Sequence, residues 1–552
     1  MTSAPSATTR IAGVLAALAV LCGIWFRFAS LGAPSFWQDE QYTSLYATGH
    51  YDRDVRHLFD GRPHDWNAIA RFSTIEPHSS VRDVVAALRE EDPQHPPAFY
   101  LLEHAMVVAI GSSIVDFRVL PALLGTLGVA LAFVLARRLF ASTTVAAIAA
   151  ALFALSPIFV LYSRQAREYS LFVDDIFVAS IALLAALDAR SSSPLRAAGA
   201  WTIYAATLAF GLYTHPLFSI VIGAHLVTTA IEPGRRRRHL TGFALAALAA
   251  VAAYLPWVSH TVHENLDWAA VPYPPLYVIE KAAFNTGAIA FDAEFIVQRL
   301  VPVGAAFALA IGVAVGWFAR TGGAARRFVL PLAASAIVAT GGRDIVLGSH
   351  VSTIPRYLTP SLVGIVIAVA GVLGAGLFAR SSRVRRLSLA LFALLLAGGV
   401  SSAGVRGARA TWWDNNDEIP LQRIAAVVNT TPRPLVISAE YRWVPRELAL
   451  YLRRDATFVL FEPHTGSPPP PLPANGPAFL VAPARDVLAA YLALARGRDD
   501  VVNLSPRSES LIVSFHRDVS RHDAALASRH VFDDLRPDES LYEFTPRRHP
   551  RS

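Results

Sequence analysis

The chain has 552 residues, of which 53% are hydrophobic and only 16% charged, and that much apolar surface excludes an ordinary soluble protein of several domains and requires lipid. The net charge of +7 is almost wholly arginine, Lys281 being the only lysine. These arginines sit in short loops between apolar runs, a pattern of membrane orientation that argues against nucleic acid as a partner. Cys22 is the single cysteine and lies inside an apolar run, so neither a disulfide framework nor a cysteine metal site can be built.

Residues 11–31 form the first apolar run. It follows Arg10 as the core of a signal peptide would, but it continues through Trp25 and Phe28 without a small-residue cleavage pattern. It reaches the roughly 20 residues that span a bilayer, so it is predicted to be an anchor. Further runs at 118–136, 142–162, 170–187, 198–213, 216–232, 240–258, 297–319, 328–347, 357–379 and 387–405 bring the expected spans to eleven. With a cytoplasmic N-terminus, Arg137/Arg138, Arg190/Arg196, Arg235 to Arg238, Arg320/Arg326/Arg327 and Arg380/Arg383/Arg385/Arg386 all fall on the cytoplasmic side. The stretch 95–111, which carries Glu103 and His104, would reverse that sidedness if it spanned, so it is placed as a juxtamembrane helix at the outer interface.

The first loop, 32–117, and the tail from 406 then face outward. In the tail, Leu435-Val436-Ile437, Phe458-Val459-Leu460, Phe479-Leu480-Val481 and Leu511-Ile512-Val513 read as buried strands, Asp486 to Arg496 as a helix, and Pro468 to Pro473 as a stiff connector. The expected architecture is a polytopic α-helical membrane protein. A transmembrane domain over 1–405 includes the first outer loop, and an extracytoplasmic α/β domain covers 406–552. Asn429-Thr430-Thr431 fits a glycosylation sequon, a short pattern common by chance.

Several polar groups collect at the outer ends of these runs. Ser35-Phe36-Trp37-Gln38-Asp39-Glu40-Gln41-Tyr42 places paired acids just after the first run. Near a low-dielectric boundary a carboxylate can serve as a general base, although an acid pair is also the ordinary N-terminal charge of a helix starting near Gln41. His95-Pro96-Pro97 and Gly111 precede Arg118, and Tyr162-Ser163-Arg164-Gln165-Ala166-Arg167-Glu168-Tyr169 follows the third run. Tyr213-Thr214-His215-Pro216 and Ile354-Pro355-Arg356-Tyr357-Leu358 come later on the same side. One arginine at a membrane edge commonly snorkels to headgroups. Several converging with acids form a plausible phosphate site, because guanidinium grips phosphate through paired charge-assisted hydrogen bonds. Within the membrane, Asp174-Asp175 are functional candidates because intramembrane acids are costly. Arg343-Asp344 reads as a self-neutralising pair lining a cavity, and Lys281 in the outward loop 259–296 either touches a phosphate or is ordinary surface.

The order of acidic pair, His-Pro-Pro, Gly then Arg, Ser-Arg-x-x-Arg-x-Tyr, Thr-His and Arg-Tyr-Leu resembles the GT-C glycosyltransferases related to protein O-mannosyltransferases and to the aminoarabinose transferase of lipid A. The likeness covers roughly residues 10–365. It implies a polyprenyl-phosphate sugar donor, inversion at the anomeric carbon, and a base from the first outer loop. By this resemblance the base matches Asp39, with Glu40 in support, orienting the site or holding a divalent cation that need not be present. Arg118 matches the arginine after His-Pro-Pro, and Arg164 and Arg167 match those after the third span. His95, Tyr169, His215, Lys281, Arg356 and Tyr357 complete the expected donor-phosphate and substrate set. Some members carry an acid where this chain has Tyr169, so no second catalytic carboxylate is assigned there.

The residue types suit that chemistry independently: a sugar phosphodiester already has a good leaving group, so one carboxylate and a few arginines suffice. No Rossmann glycine fingerprint or P-loop is present, which disfavours a nucleotide-sugar donor. The implied setting is a bacterial inner membrane, with the N-terminus cytoplasmic and the C-terminus extracytoplasmic. The acceptor is left open among lipid, protein and polysaccharide, and the sugar among mannose, arabinose and other pentoses. A lipid or polysaccharide transporter or flippase is the competing class, disfavoured because the sequence has no internal repeat or paired broken helices. No motif residue lies beyond about 360, so the tail is expected to be secondary to chemistry.

Overall fold

A computed structural model describes residues 6–77, 79–189, 193–233, 236–261, 273–292, 300–407, 421–439, 443–463, 468–473, 477–483, 485–496, 499–503 and 541–546. The chain divides into two units: residues 1–31, 88–103 and 118–409 form the first, and residues 32–87, 104–117 and 410–552 the second.

The first unit is helical, and each predicted apolar run except 142–162 coincides with one helix. Among the described residues, eight helices are long and apolar enough to cross a membrane, against the eleven spans expected. The run 142–162 divides at Pro157 into Thr143–Leu155 and Pro157–Tyr162, because proline lacks the N–H that would continue the ladder and holds Ser156 extended. Phe218–Ile231 has only 14 residues, and Pro194–Thr214 is 21 residues long but carries Arg196 and several hydroxyl side chains. Ala98–Ile110, at 13 residues, is another of the shorter apolar helices.

Burial separates central from peripheral helices: 83% of the apolar window of Pro355–Leu377 and 78% of that of Tyr169–Asp188 are buried, against 28% for Arg236–Thr261. The peripheral helices expose Leu245, Leu248, Leu309 and Trp317, side chains that only lipid would cover. Helices approach closely where small residues permit. A Cβ on Gly23 would lie 2.3 Å from the carbonyl oxygen of Ala154, so the helix Ala7–Phe28 packs against Thr143–Leu155 as small-residue membrane interfaces do. Fully buried Arg27 bridges the same pair, its Nη1 donating to the carbonyls of Gly23 at 2.9 Å and Ala154 at 2.6 Å.

The second unit is built on a six-stranded sheet in the order β1-β3-β2-β4-β6-β5, with β1 Asp60–Asp65, β2 Leu435–Ser438, β3 Thr457–Phe461, β4 Ala478–Val481, β5 Asp499–Asn503 and β6 Leu541–Pro546. Strands β3, β2 and β4 are parallel, and β1, β6 and β5 join antiparallel. The predicted strands 435–437, 458–460 and 479–481 are all present, and the predicted helix appears as Arg485–Ala495. The run Leu511-Ile512-Val513, like Arg190 and Arg235, lies outside the described residues.

The domain boundary differs from the expected division at 405/406. Strand β1 comes from the first outer loop and pairs with β3, His64 opposite Phe458 and Asp65 opposite Thr457. Ile69 and Ala70 share one apolar core with Leu421, Ile424, Val436, Trp443, Leu448 and Phe458. The loop and the tail are one folded unit that shares a sheet and an apolar core. Asn429, the sequon asparagine, is also committed to this unit, donating to the Tyr451 carbonyl at 2.9 Å and accepting from Arg453 N at 2.9 Å.

Candidate active site

In the first unit, Pro157–Tyr162 ends in a turn at Ser163, and a new helix, Tyr169–Asp188, begins after Glu168. That turn aims Arg167 and Glu168 at the segment before Ala98–Ile110. Arg167 Nη2 lies 2.8 Å from His95 Nε2 and 3.3 Å from Glu168 Oε1, and Nη1 donates to the Tyr100 hydroxyl at 3.3 Å. His95 Nδ1 lies 2.8 Å from Asp92 Oδ1. A guanidinium can only donate, so Nε2 of His95 accepts and its Nδ1 carries the proton toward Asp92. The His95 loop is tied down by Trp257 Nε1, which donates to the Pro93 carbonyl at 2.9 Å.

His215 closes the cluster from the end of Pro194–Thr214, with Nε2 4.0 Å from Glu168 Oε1. Its Nδ1 accepts from Leu217 N at 3.1 Å, and its ring stacks on Phe172 with centroids 4.8 Å apart. Burial is the main influence on His215; Glu168 favours its charge, but burial and the nearby cations prevail and lower it from 6.5 to about 4. Burial would raise Glu168, but Arg167, His95 and His215 outweigh it and hold this carboxyl below its usual range. Burial also opposes charge on His95, where Asp92 prevails over it and over Arg167 and raises the imidazole.

Tyr169 links this cluster to Arg356. The guanidinium carbons of Arg167 and Arg356 each lie 5.9 Å from the Tyr169 ring centroid, and Arg356 also lies 5.4 Å from that of Tyr357. The loop bearing Arg356 is held by Asp344, which accepts from Ser349 Oγ and from the backbone N–H groups of Val351 at 3.0 Å and Ser352 at 2.6 Å. Arg343 Nη1 donates to Ser349 Oγ at 3.2 Å. The expected self-neutralising pair is thus a clamp on a loop, because Asp344 faces backbone donors.

Arg118 and Arg164 have another engagement. Arg118 Nη1 donates to the Leu31 carbonyl at 2.6 Å, and Arg164 donates to those of Phe26 at 2.6 Å and Ser30 at 3.2 Å, all at the C-terminal end of the first helix. The last turn of a helix leaves carbonyls without intrahelical donors, and here Arg164 serves that of Phe26 while Arg118 and Arg164 serve those of Leu31 and Ser30 just beyond the helix. Burial, and then the neighbouring Arg118, lower Arg164 to about 10. Lys281 lies on Pro275–Gly287 with its Nζ 5.9 Å from the Tyr277 ring centroid.

Asp39 and Glu40 belong to the second unit, in the first turn of the helix Gln38–Ala47. That helix starts three residues earlier than the sequence suggested. Its first turn favours negative charge, Glu40 is fully buried, and Asp39 is half-buried.

The structure therefore gathers His95, Arg167, Tyr169, His215, Arg356 and Tyr357, adding Asp92, Glu168 and Tyr100, which sequence reasoning left without roles. Glu168 had a signal: it stands one residue before the position where some relatives carry an acid. Among the described residues, no group of three or more His, Cys, Asp or Glu side chains is gathered as a metal site.

Residues 94–260 match the family model described as dolichyl-phosphate-mannose-protein mannosyltransferase, a segment containing His95, Arg118, Arg164, Arg167, Tyr169 and His215. No curated protein matches the sequence. Among solved structures, apo ArnT from Cupriavidus metallidurans is similar over 89% of this chain and 95% of its own, with a TM-score of 0.51 and 14% identity. ArnT bound to undecaprenyl phosphate aligns over 90% and 96% with a TM-score of 0.49 and 15% identity. The Archaeoglobus fulgidus oligosaccharyltransferase aligns over 89% and 68% with a TM-score of 0.46 and 13% identity. The family-model match and the apo ArnT likeness bear out the resemblance read from the motifs: the chain has the polytopic membrane fold of GT-C glycosyltransferases.

Proposed function

We propose that this chain is a glycosyltransferase that moves a sugar, with inversion, from a polyprenyl-phosphate carrier to a lipid, protein or polysaccharide acceptor on the extracytoplasmic face of a bacterial inner membrane. The observation that carries this reading is the largely buried ladder Asp92, His95, Arg167, Glu168, His215, in which His95 is partly exposed, with Tyr169 beside both Arg167 and Arg356. Most of it falls within the segment matched by a family model whose description names a dolichyl-phosphate-linked sugar.

A phosphodiester brought to this ladder meets guanidinium groups already oriented, Arg167 by His95, Tyr100 and Glu168, and Arg356 by a clamped loop. Preorganised donors are worth most where charge grows, here on the departing phosphate. Asp39 is assigned the base: the acceptor hydroxyl oxygen bonds to the anomeric carbon, its proton passes to the Asp39 carboxylate, and the bond from that carbon to the phosphate oxygen breaks. Glu40 supports Asp39, and a divalent cation held there would draw its remaining ligands from substrate and water. Arg118 and Arg164 are reassigned from the phosphate to the end of the first helix, and Lys281 keeps a secondary place in donor binding.

Membranes containing the protein, supplied with labelled polyprenyl-phosphate mannose or arabinose, provide the test. Transfer of label to envelope material supports the reading. Redistribution of intact labelled donor between leaflets, without transfer, indicates a flippase instead.

A further inference from the structure

The helix that carries Asp39 and Glu40 is not held by its own loop alone. Tyr451, at the end of the tail helix Trp443–Tyr451, accepts from Phe36 N at 2.9 Å through its hydroxyl, two residues before Gln38–Ala47 begins. Gln422 Nε2 donates to that hydroxyl at 3.2 Å and to the Ala33 carbonyl at 3.3 Å. Arg446, from the same tail helix, donates Nη1 to the Gln41 carbonyl at 2.9 Å and sets its guanidinium 5.4 Å from the Tyr42 ring centroid. Gln41 in turn donates Nε2 to the Phe36 carbonyl at 3.0 Å, so both anchors meet the one turn containing Asp39 and Glu40.

Arg446 is only 1% exposed. Burying a guanidinium is costly unless its geometry returns something, and a main-chain carbonyl inside a helix is already served by the helix's own ladder. The Arg446 bond therefore adds orientation, about an axis fixed by Tyr451 at the helix start.

We infer that Arg446 and Tyr451 are positioning residues for Asp39: the tail sets the angle at which the acid-bearing helix presents its carboxylate. This rests on the assignment of Asp39 as the base. A displacement of about 1 Å at a reacting group can cost on the order of 100-fold in rate, so a two-point grip on this turn acts on turnover rather than on donor binding.

The test uses the full chain in lipid nanodiscs with labelled polyprenyl-phosphate mannose and arabinose and envelope extract as acceptor source. Arg446→Met is expected to lower kcat by roughly 10- to 100-fold with donor KM unchanged. Tyr451→Phe, which loses one neutral hydrogen bond, should lower it by about 3- to 10-fold, and Arg446→Lys should recover part of the loss. In the Asp39→Asn background, Arg446→Met should add little, because the group it positions is already gone. If Asp39→Asn abolishes transfer while Arg446→Met and Tyr451→Phe keep wild-type kcat, the positioning role is overturned and the base assignment stands. If Asp39→Asn keeps wild-type turnover, the base assignment itself fails. Should Arg446→Met not fold, Tyr451→Phe and Arg446→Lys decide the matter by the same split between kcat and KM.

Discussion

Arg167 Nη2 and His95 Nε2 lie 2.8 Å apart across 72 residues of sequence, and the imidazole is oriented for that contact by Asp92 on its other nitrogen. Asp92 therefore acts on Arg167 at one remove. Asp92→Ala should weaken donor binding by about 10-fold, the worth of a hydrogen bond to a charged group. Titration of a fluorescent polyprenyl phosphate against wild type and variant checks it.

Acid should act on the same cluster through His215, against the opposite contribution of His95, whose raised imidazole favours the folded state as pH falls. His215 is lowered to about 4 in the folded chain and titrates near 6.5 when unfolded, so between those values the unfolded state binds more protons and stability falls as pH falls. Near pH 5 the loss amounts to about 2 kcal/mol. Glu168, also lowered, adds a loss in the same direction at still lower pH. Thermal melts should show wild type losing more stability between pH 7 and 5 than His215→Gln. Equal losses would mean that His215 is not the responsible group.

A chain ending at residue 405 should lose transfer. It lacks β3, which pairs with β1, the partners of Ile69 and Ala70 in the apolar core, and both Tyr451 and Arg446. This reverses the sequence expectation that the tail is secondary. Limited proteolysis of the truncated chain should cut within 52–70, where full-length protein resists, and a polyprenyl phosphate should still bind.

Sidedness can be tested by single-cysteine labelling once Cys22 is replaced. Thr430→Cys, exposed after the helix Leu421–Val428, should react with an impermeant reagent in intact cells, and Ser382→Cys, exposed at the start of Ser382–Gly407, should not. The opposite pattern would invert the proposed orientation.

The helices were legible because an apolar run longer than about 15 residues has few alternatives in lipid. The ladder was partly legible: motif order and sidedness brought His95, Arg167, Tyr169, His215 and Arg356 to one list, and the structure brings their side chains to one cluster. Arg118 and Arg164 could not be separated from that list, because phosphate oxygens and helix-end carbonyls ask the same of a guanidinium. The pairing of loop and tail was hidden for another reason. Strand β1 reads Asp-Gly-Arg-Pro-His-Asp, with no alternating apolar pattern, and is an edge strand joined through its backbone, where Pro63 is tolerated. Backbone pairing leaves little trace in side-chain identity.

The proposed division of labour is tested most directly by turnover and donor affinity measured side by side for Asp39→Asn and Arg167→Ala. Asp39→Asn should lower kcat by on the order of 100- to 10,000-fold, the usual worth of a general base, with donor affinity unchanged, because the amide keeps the shape but cannot take the proton. Glu40→Gln should be milder, and Arg167→Ala should weaken donor binding as well as slow transfer, since it meets charge already present before reaction. Near wild-type turnover of Asp39→Asn at saturating donor and acceptor would contradict the account and pass the role of base to Glu40.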